Sequence, residues 1–266
     1  MSELFNLAGR TALVTGANTG LGQAIAIALA GAGADIVAAG RSPADDTAAQ
    51  VRALGRRFLF VRADFGSSVP LQGVVDAAIA FNGQLDILVN NAGTIHRADS
   101  LDVTEENWDA VMNTNLRSVF FLSQAVARHM ATRHQGKIVN VASLLSFQGG
   151  IRVPAYAASK SALAGLTRAL ANEWAAKGIN VNALAPGYFE TNNTTALRED
   201  AQRSEAILAR IPAGRWGKPD DLAGAAEVPR QLPRAARFFF SPVTHAVGVV
   251  HRASHPPSTG RVMPCT

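Results

Sequence analysis

The chain has 266 residues, of which 48% are hydrophobic and 17% charged, the balance of a globular protein rather than a disordered one. Of its 25 basic and 20 acidic side chains, five arginines and one glutamate lie from Glu227 onward, which leaves 20 and 19 in the body and excludes a basic stripe for nucleic-acid phosphates. No apolar run reaches the ~20 residues of a membrane-spanning helix. The opening ten residues lack a secretory signal's basic start and apolar run, and the single cysteine, Cys265, excludes an internal disulfide framework; the expected compartment is the cytoplasm.

In chain order, short apolar β-branched runs alternate with longer helical patterns. Strands are expected at Thr11–Thr15, Ile36–Ala39, Phe58–Val61, Ile87–Asn90, Ile138–Val141 and Val181–Ala185. Helices are expected at Leu21–Ala32, Ala44–Leu54, Leu71–Phe81, Glu105–Met130 and Ala155–Lys177. This alternation predicts an α/β fold: one Rossmann-type domain over residues 1–226, with a doubly wound parallel sheet and helices on both faces. Ligands of such sheets bind beyond the carboxyl ends of the strands, so the loops there hold the candidate chemistry. Residues 227–266 depart from the pattern, with six prolines, three of the six histidines and no strand period apart from Ala246–Val250.

Three constellations sit on the expected loops. Thr15-Gly16-Ala17-Asn18-Thr19-Gly20-Leu21-Gly22 joins the first strand to the first helix. Glycines there permit a tight turn and let a pyrophosphate approach the backbone at the helix start. Such a loop alone also closes an ordinary βα turn; the strand before it and the helix after it favour a dinucleotide site.

Tyr156 and Lys160 are one turn apart on a helix that opens near Pro154, so they share a face. A phenol's pKa of about 10 is too high for a base near neutrality; an adjacent ammonium favours phenolate, and reaching pH 7 requires about 4 kcal/mol. Ser143, at the mouth of the fifth strand, would hydrogen-bond the substrate oxygen.

The third feature sets cofactor choice. The second strand ends in Gly40-Arg41-Ser42, with no acid before Asp45. An acid there would hold the ribose 2′-hydroxyl of NAD; Arg41 favours the 2′-phosphate of NADP, although stacking on adenine would leave NAD acceptable.

These motifs, in this order, resemble the short-chain dehydrogenase/reductase family: the TGxxxGxG turn, Asp64, Asn90-Asn91-Ala92-Gly93, Asn115, Ser143, Tyr156-Ala157-Ala158-Ser159-Lys160 and Pro186-Gly187. The resemblance covers residues 5 to about 226. It implies NAD(P)-dependent hydride transfer at a secondary alcohol or ketone, without a metal. Implied catalytic residues are Asn115, positioning a water that relays protons to Lys160, with Ser143, Tyr156 and Lys160. Implied cofactor contacts are Gly16, Asn18, Thr19, Gly20, Leu21 and Gly22 at the pyrophosphate, and Asp64 and Phe65 at adenine. Asn91, Ala92 and Gly93 would line the adenine-side ribose, with Tyr156, Lys160, Pro186, Gly187, Phe189 and Thr191 at the nicotinamide end.

Residues 93–98, 147–154, 187–195 and 210–217 further resemble family members that act on keto-deoxy sugar acids, of the 2-deoxy-D-gluconate or 2-dehydro-3-deoxy-D-gluconate type. His96, Arg97, Arg152 and Ser143 are the candidate substrate contacts, the three basic residues for an anionic group. A 3-oxoacyl thioester reductase, or a dinucleotide-binding protein without turnover, is the alternative.

The family's glycine-rich ending is missing: the likeness stops after Ala226. An altered reading frame near codon 226 would explain the change and would expose the last sheet edge. The resemblance implies a homo-oligomer with a dimer face on helices Glu105–Met130 and Ala155–Lys177, and the tail would disrupt the usual tetramer.

Overall fold

A computed structural model describes residues 6–67 and 71–222, together with the backbone of 238–240. Its seven strands form one parallel sheet in the order β3-β2-β1-β4-β5-β6-β7. They are β1 (Thr11–Thr15), β2 (Asp35–Gly40), β3 (Phe58–Arg62), β4 (Ile87–Asn90), β5 (Gly136–Val141), β6 (Ile179–Ala185) and β7 (Phe238–Phe240). Strand order reverses between β1 and β4, which opens a crevice at their carboxyl ends.

Alternate residues serve two cores. Ala12 and Val14 of β1 face helices α1 (Gly20–Gly31) and α2 (Asp45–Ala53), burying Ile25, Leu29 and Val51. Leu13 faces the other way, toward α3 (Leu71–Asn82), α5 (Ser118–Thr132) and α6 (Pro154–Trp174), with Val75, Leu122 and Leu170. The six strands from β1 to β6 lie where the apolar runs predict, and the helices cover both faces as the alternation requires.

Two expectations are corrected. The helix read as Glu105–Met130 is broken into α4 (Glu105–Met112), a π-helical turn at Asn113–Arg117, and α5. The wide turn sets Asn115 against the backbone after β4, a tertiary pairing with no trace in local periodicity. The tail also contributes a strand: Phe238–Phe240 pairs with Ala183–Ala185, so the edge of β6 is covered at three positions. Ala246–Val250 and the rest of the 227–266 tail lie outside the described residues. Beyond α6 come two short helices, α7 (Thr195–Glu199) and α8 (Ala201–Leu208), which follow the loop leaving β6.

Candidate active site

The glycine turn is built by exclusion of side chains. Gly16 and Gly20 have φ of +65° and +59°, in the left-handed region that favours glycine. A Cβ on Gly22 would overlap the Gly16 carbonyl and the Asn91 amide. The start of α1 is left open: Thr19 supplies no side-chain cap and the first turn holds no acid. Its leading N–H groups therefore face outward without internal partners, which suits an anionic pyrophosphate. The motif residues Asn18, Thr19 and Leu21 lie on this turn, at most partly covered.

The segment after β4 holds the turn in place. Asn91 Nδ2 donates to the carbonyls of Thr15 and Gly16, both at 3.0 Å. Thr15 Oγ1 accepts the N–H groups of Asn91 and Ala92, at 3.0 and 2.9 Å. Thus the Asn91 side chain and the N–H groups of Asn91 and Ala92 are engaged within the protein, leaving their carbonyls and the main chain of Gly93 as the groups that could meet a cofactor. Thr191 closes over the other side, with its Cγ2 3.5 Å from where a Gly20 Cβ would stand. Thr15 opens the glycine motif in the sequence, but its hold on the segment after β4 comes from a contact 76 residues away that the motif does not express.

At the adenine end, Asp64 Oδ1 accepts the Gly66 N–H at 2.9 Å and shapes its own turn. Phe65 is buried in the core beside α3 and α5 and offers an adenine only its backbone. Phe189 has its ring in the core, which leaves its main chain for any contact with a nicotinamide. It is 2% exposed and packs on the α1 face of the sheet, against Gly217, so its ring is withdrawn from the crevice. Pro186 is buried and its carbonyl accepts the Leu144 N–H at 3.2 Å, coupling the end of β6, ahead of Gly187, to the turn that carries Ser143. Arg41 is exposed just past β2.

The structure brings Ser143, Tyr156, Lys160 and Asn115 together beyond β4 and β5. Ser143 Oγ accepts the Leu145 N–H at 3.1 Å and hydrogen-bonds the Tyr156 phenol. Lys160 is buried; its Nζ lies 5.6 Å from the Tyr156 ring centroid and donates to the Val141 carbonyl at 2.6 Å. Ser159, between them on α6, donates to the Tyr156 carbonyl at 2.8 Å and accepts from Asn115 Nδ2 at 3.2 Å. Ser159 stands in the Tyr156–Lys160 motif without an expected role, and its place inside that turn is the signal for one.

The electrostatics depart from expectation. Burial pushes the Tyr156 phenol above its ordinary pKa, while the Ser143 hydrogen bond and then the Arg97 guanidinium pull it down. Lys160 is itself pushed down to about 8 by burial. Arg97 thus adds a downward pull on the phenol, while the Lys160 amine, over the Tyr156 ring, donates to a main-chain carbonyl.

Arg97 NH2 donates to the Asn193 carbonyl at 2.7 Å, bridging the loops after β4 and β6. Burial and the neighbouring Arg203 lower its pKa, and Tyr156 raises it. Arg97, Arg203 and Tyr156 thus share one electrostatic neighbourhood. His96 is half-buried on the same loop. Arg152 differs: it pairs with Asp99 at 3.2 Å in an exposed bridge, while its carbonyl accepts the Ala98 N–H at 3.1 Å.

The short chain dehydrogenase family model matches residues 10–202. The chain is 57% identical over 223 residues to 2-dehydro-3-deoxy-D-gluconate 5-dehydrogenase of Dickeya dadantii (strain 3937), covering 84% of this chain and 88% of that one. It is 58% identical over 221 residues to 2-dehydro-3-deoxy-D-gluconate 5-dehydrogenase of Escherichia coli (strain K12), covering 83% and 87%. Among solved structures, a gluconate 5-dehydrogenase from Burkholderia cenocepacia J2315 in complex with NADP and tartrate superposes with a TM-score of 0.84 at 38% identity, covering 92% of this chain and 99% of that one.

Proposed function

The chain belongs to the short chain dehydrogenase family of NAD(P)-dependent oxidoreductases, and on that premise we propose that it interconverts a secondary alcohol and a ketone on a keto-deoxy sugar acid. The substrate is of the 2-dehydro-3-deoxy-D-gluconate or 2-deoxy-D-gluconate type, and the preferred cofactor is NADP. The relatives' names and the NADP-bound neighbour support this choice. The observation that carries it is Arg97, a half-buried guanidinium anchored on Asn193 beside Tyr156. A fixed cation at that place suits a substrate with a carboxylate on one end and its reacting oxygen at the tyrosine.

A bound nicotinamide supplies or accepts the hydride. The protein's residues manage the oxygen and its proton. Ser143, held by the Leu145 N–H, donates a hydrogen bond to the substrate oxygen and steadies charge as it develops there. Tyr156 takes the hydroxyl proton in the oxidative direction and returns it in reduction. Lys160 would hold the cofactor's ribose, and Asn115, which ties the loop after β4 to α6, would position a water on the way to Lys160. His96 and Arg152 line the substrate end.

No helix among the described residues is long and apolar enough to cross a membrane. We assign the protein to the cytoplasm, as a homodimer formed through α4–α5 and α6. The tail we attribute to a change of reading frame near codon 226; the relatives above match over 223 and 221 residues, close to the length that precedes it. A seventh strand and glycine-rich ending in another frame of the gene would support this, and their absence would refute it.

The test of the function follows NADPH and NADH absorbance with a panel of keto-deoxy sugar acids and 3-oxoacyl thioesters. Turnover of the sugar acids supports the proposal. Turnover confined to the thioesters, or cofactor binding with no turnover, refutes it.

A further inference from the structure

We propose that Arg62, at the end of β3, is a second specificity residue for the 2′-phosphate of NADP, acting beside Arg41. This rests on the NADP reading above and adds to it a residue on a different strand.

The argument is one of register and face. In the parallel pairing of β2 and β3, Gly40 stands opposite Arg62, and the Ala63 N–H donates to the Gly40 carbonyl at 2.9 Å. Adjacent strands lie about 4.8 Å apart, so the Arg62 main chain is the nearest neighbour of Gly40 on its outer side. Side chains alternate along β3. Phe58 and Phe60 pack with the core under α1 and α2, whereas Leu59 and Val61 pack with the opposite core. Arg62 follows Phe60 by two residues and so rises on the α1–α2 face.

That is also the face of the glycine turn. A Cβ on Gly40 would meet Gly16 at 3.9 Å, which aligns Gly16, Gly40 and Arg62 across three successive strand ends. A pyrophosphate held at the start of α1 would leave the adenosine room over Gly40, which has no side chain to obstruct it. The ribose 2′ position would then fall toward the rim where Arg41 and Arg62 stand.

Both guanidiniums are available. Arg41 and Arg62 are exposed, and neither forms a side-chain hydrogen bond or ion pair among the described residues. The nearby acids are occupied elsewhere or on another element: Asp64 accepts from Gly66, and Asp45 and Asp46 open α2, where they complement its N-terminus. Two arginines on adjacent segments can divide the oxygens of a dianionic phosphate.

The experiment is calorimetric titration of the full chain with adenosine 2′,5′-bisphosphate, 5′-AMP, NADP⁺ and NAD⁺, for wild type, Arg41→Gln, Arg62→Gln and Arg62→Lys. Wild type is expected to favour the bisphosphate over 5′-AMP. Arg62→Gln should weaken the bisphosphate and NADP⁺ by about tenfold or more, leave 5′-AMP and NAD⁺ within about twofold, and be partly restored by lysine. Unchanged bisphosphate affinity in Arg62→Gln, with the preference lost only in Arg41→Gln, would overturn the role of Arg62 while leaving the NADP reading intact. A wild-type chain that does not distinguish the bisphosphate from 5′-AMP would overturn both. Thermal melting of each variant separates these outcomes from misfolding.

Discussion

Asn115 bonds both main-chain groups of Thr94: its Nδ2 donates to the Thr94 carbonyl at 2.9 Å, and its Oδ1 accepts the Thr94 N–H at 2.8 Å. The same Nδ2 reaches Ser159, whose hydroxyl donates to the Tyr156 carbonyl. One buried amide therefore joins the loop after β4, the π-helical turn and the helix that carries Tyr156. Its placement depends on the extra residue of that turn, a feature common at functional sites.

Replacing Asn115 with Ala leaves the Thr94 groups without their side-chain partner and frees the loop. With the Ser159 contact also lost, the expected cost is roughly 3 kcal/mol, from three hydrogen bonds at about 1 kcal/mol each. Turnover should fall further than stability, because Thr94 precedes Arg97 on the same loop. Hydrogen exchange over 93–98 together with kcat checks this; unchanged exchange with lost turnover would separate the loop from catalysis.

Arg97 pulls the Tyr156 phenol down against the upward push of burial. Removing the guanidinium in Arg97→Gln should move the alkaline-rising limb of alcohol oxidation to higher pH and raise the substrate KM. Arg97→Lys should recover much of the pH shift and less of the KM, since lysine retains charge but not the fork. A variant with altered KM and an unmoved pH profile would confine Arg97 to binding.

Lys160 is held near 8 from an ordinary value of 10.5. Its folded-state pKa lies below the unfolded one, so burial costs most below pH 8 and the cost declines as pH rises toward 10.5. Integrated, the difference is roughly 3 kcal/mol. Denaturant midpoints should therefore rise through that window in wild type. In Lys160→Met this rise should vanish, midpoints at pH 7 should be higher than wild type, and turnover should be lost.

His129 lies at the opposite end of the sheet, where its Nε2 accepts the Leu85 N–H at 3.3 Å. Burial and then Arg133 lower its pKa, with Asp86 opposing them. A histidine whose folded pKa is depressed contributes stability above pH 6.5 that is lost as pH falls through the folded value. His129→Gln, which keeps an acceptor and does not titrate, should flatten the acid limb of a stability curve below about pH 6.5. An unchanged limb assigns acid loss to other groups.

Much of this arrangement is legible in the sequence. Strand β1 is visible in full at Thr11–Thr15, and β5 to within two residues, because short apolar runs bounded by turn residues are local signals. The order of motifs also places Tyr156 and Lys160 on one helix face. What the sequence conceals is set by partners far along the chain. The break at Asn113–Arg117 depends on Thr94, 21 residues from Asn115, and the anchoring of Arg97 depends on Asn193, 96 residues away. The phenol's shift comes from burial, which no spacing expresses. Strand β7 is three phenylalanines among prolines and arginines, too short for periodicity to mark.

The most direct test of the account compares wild type with Tyr156→Phe, measuring NADPH-coupled reduction of a keto-deoxy sugar acid and, in parallel, NADPH affinity by fluorescence titration. The account predicts that the variant loses nearly all turnover and binds NADPH within about twofold of wild type, since the hydroxyl serves proton transfer and the cradle lies elsewhere. Retained turnover in Tyr156→Phe would contradict it.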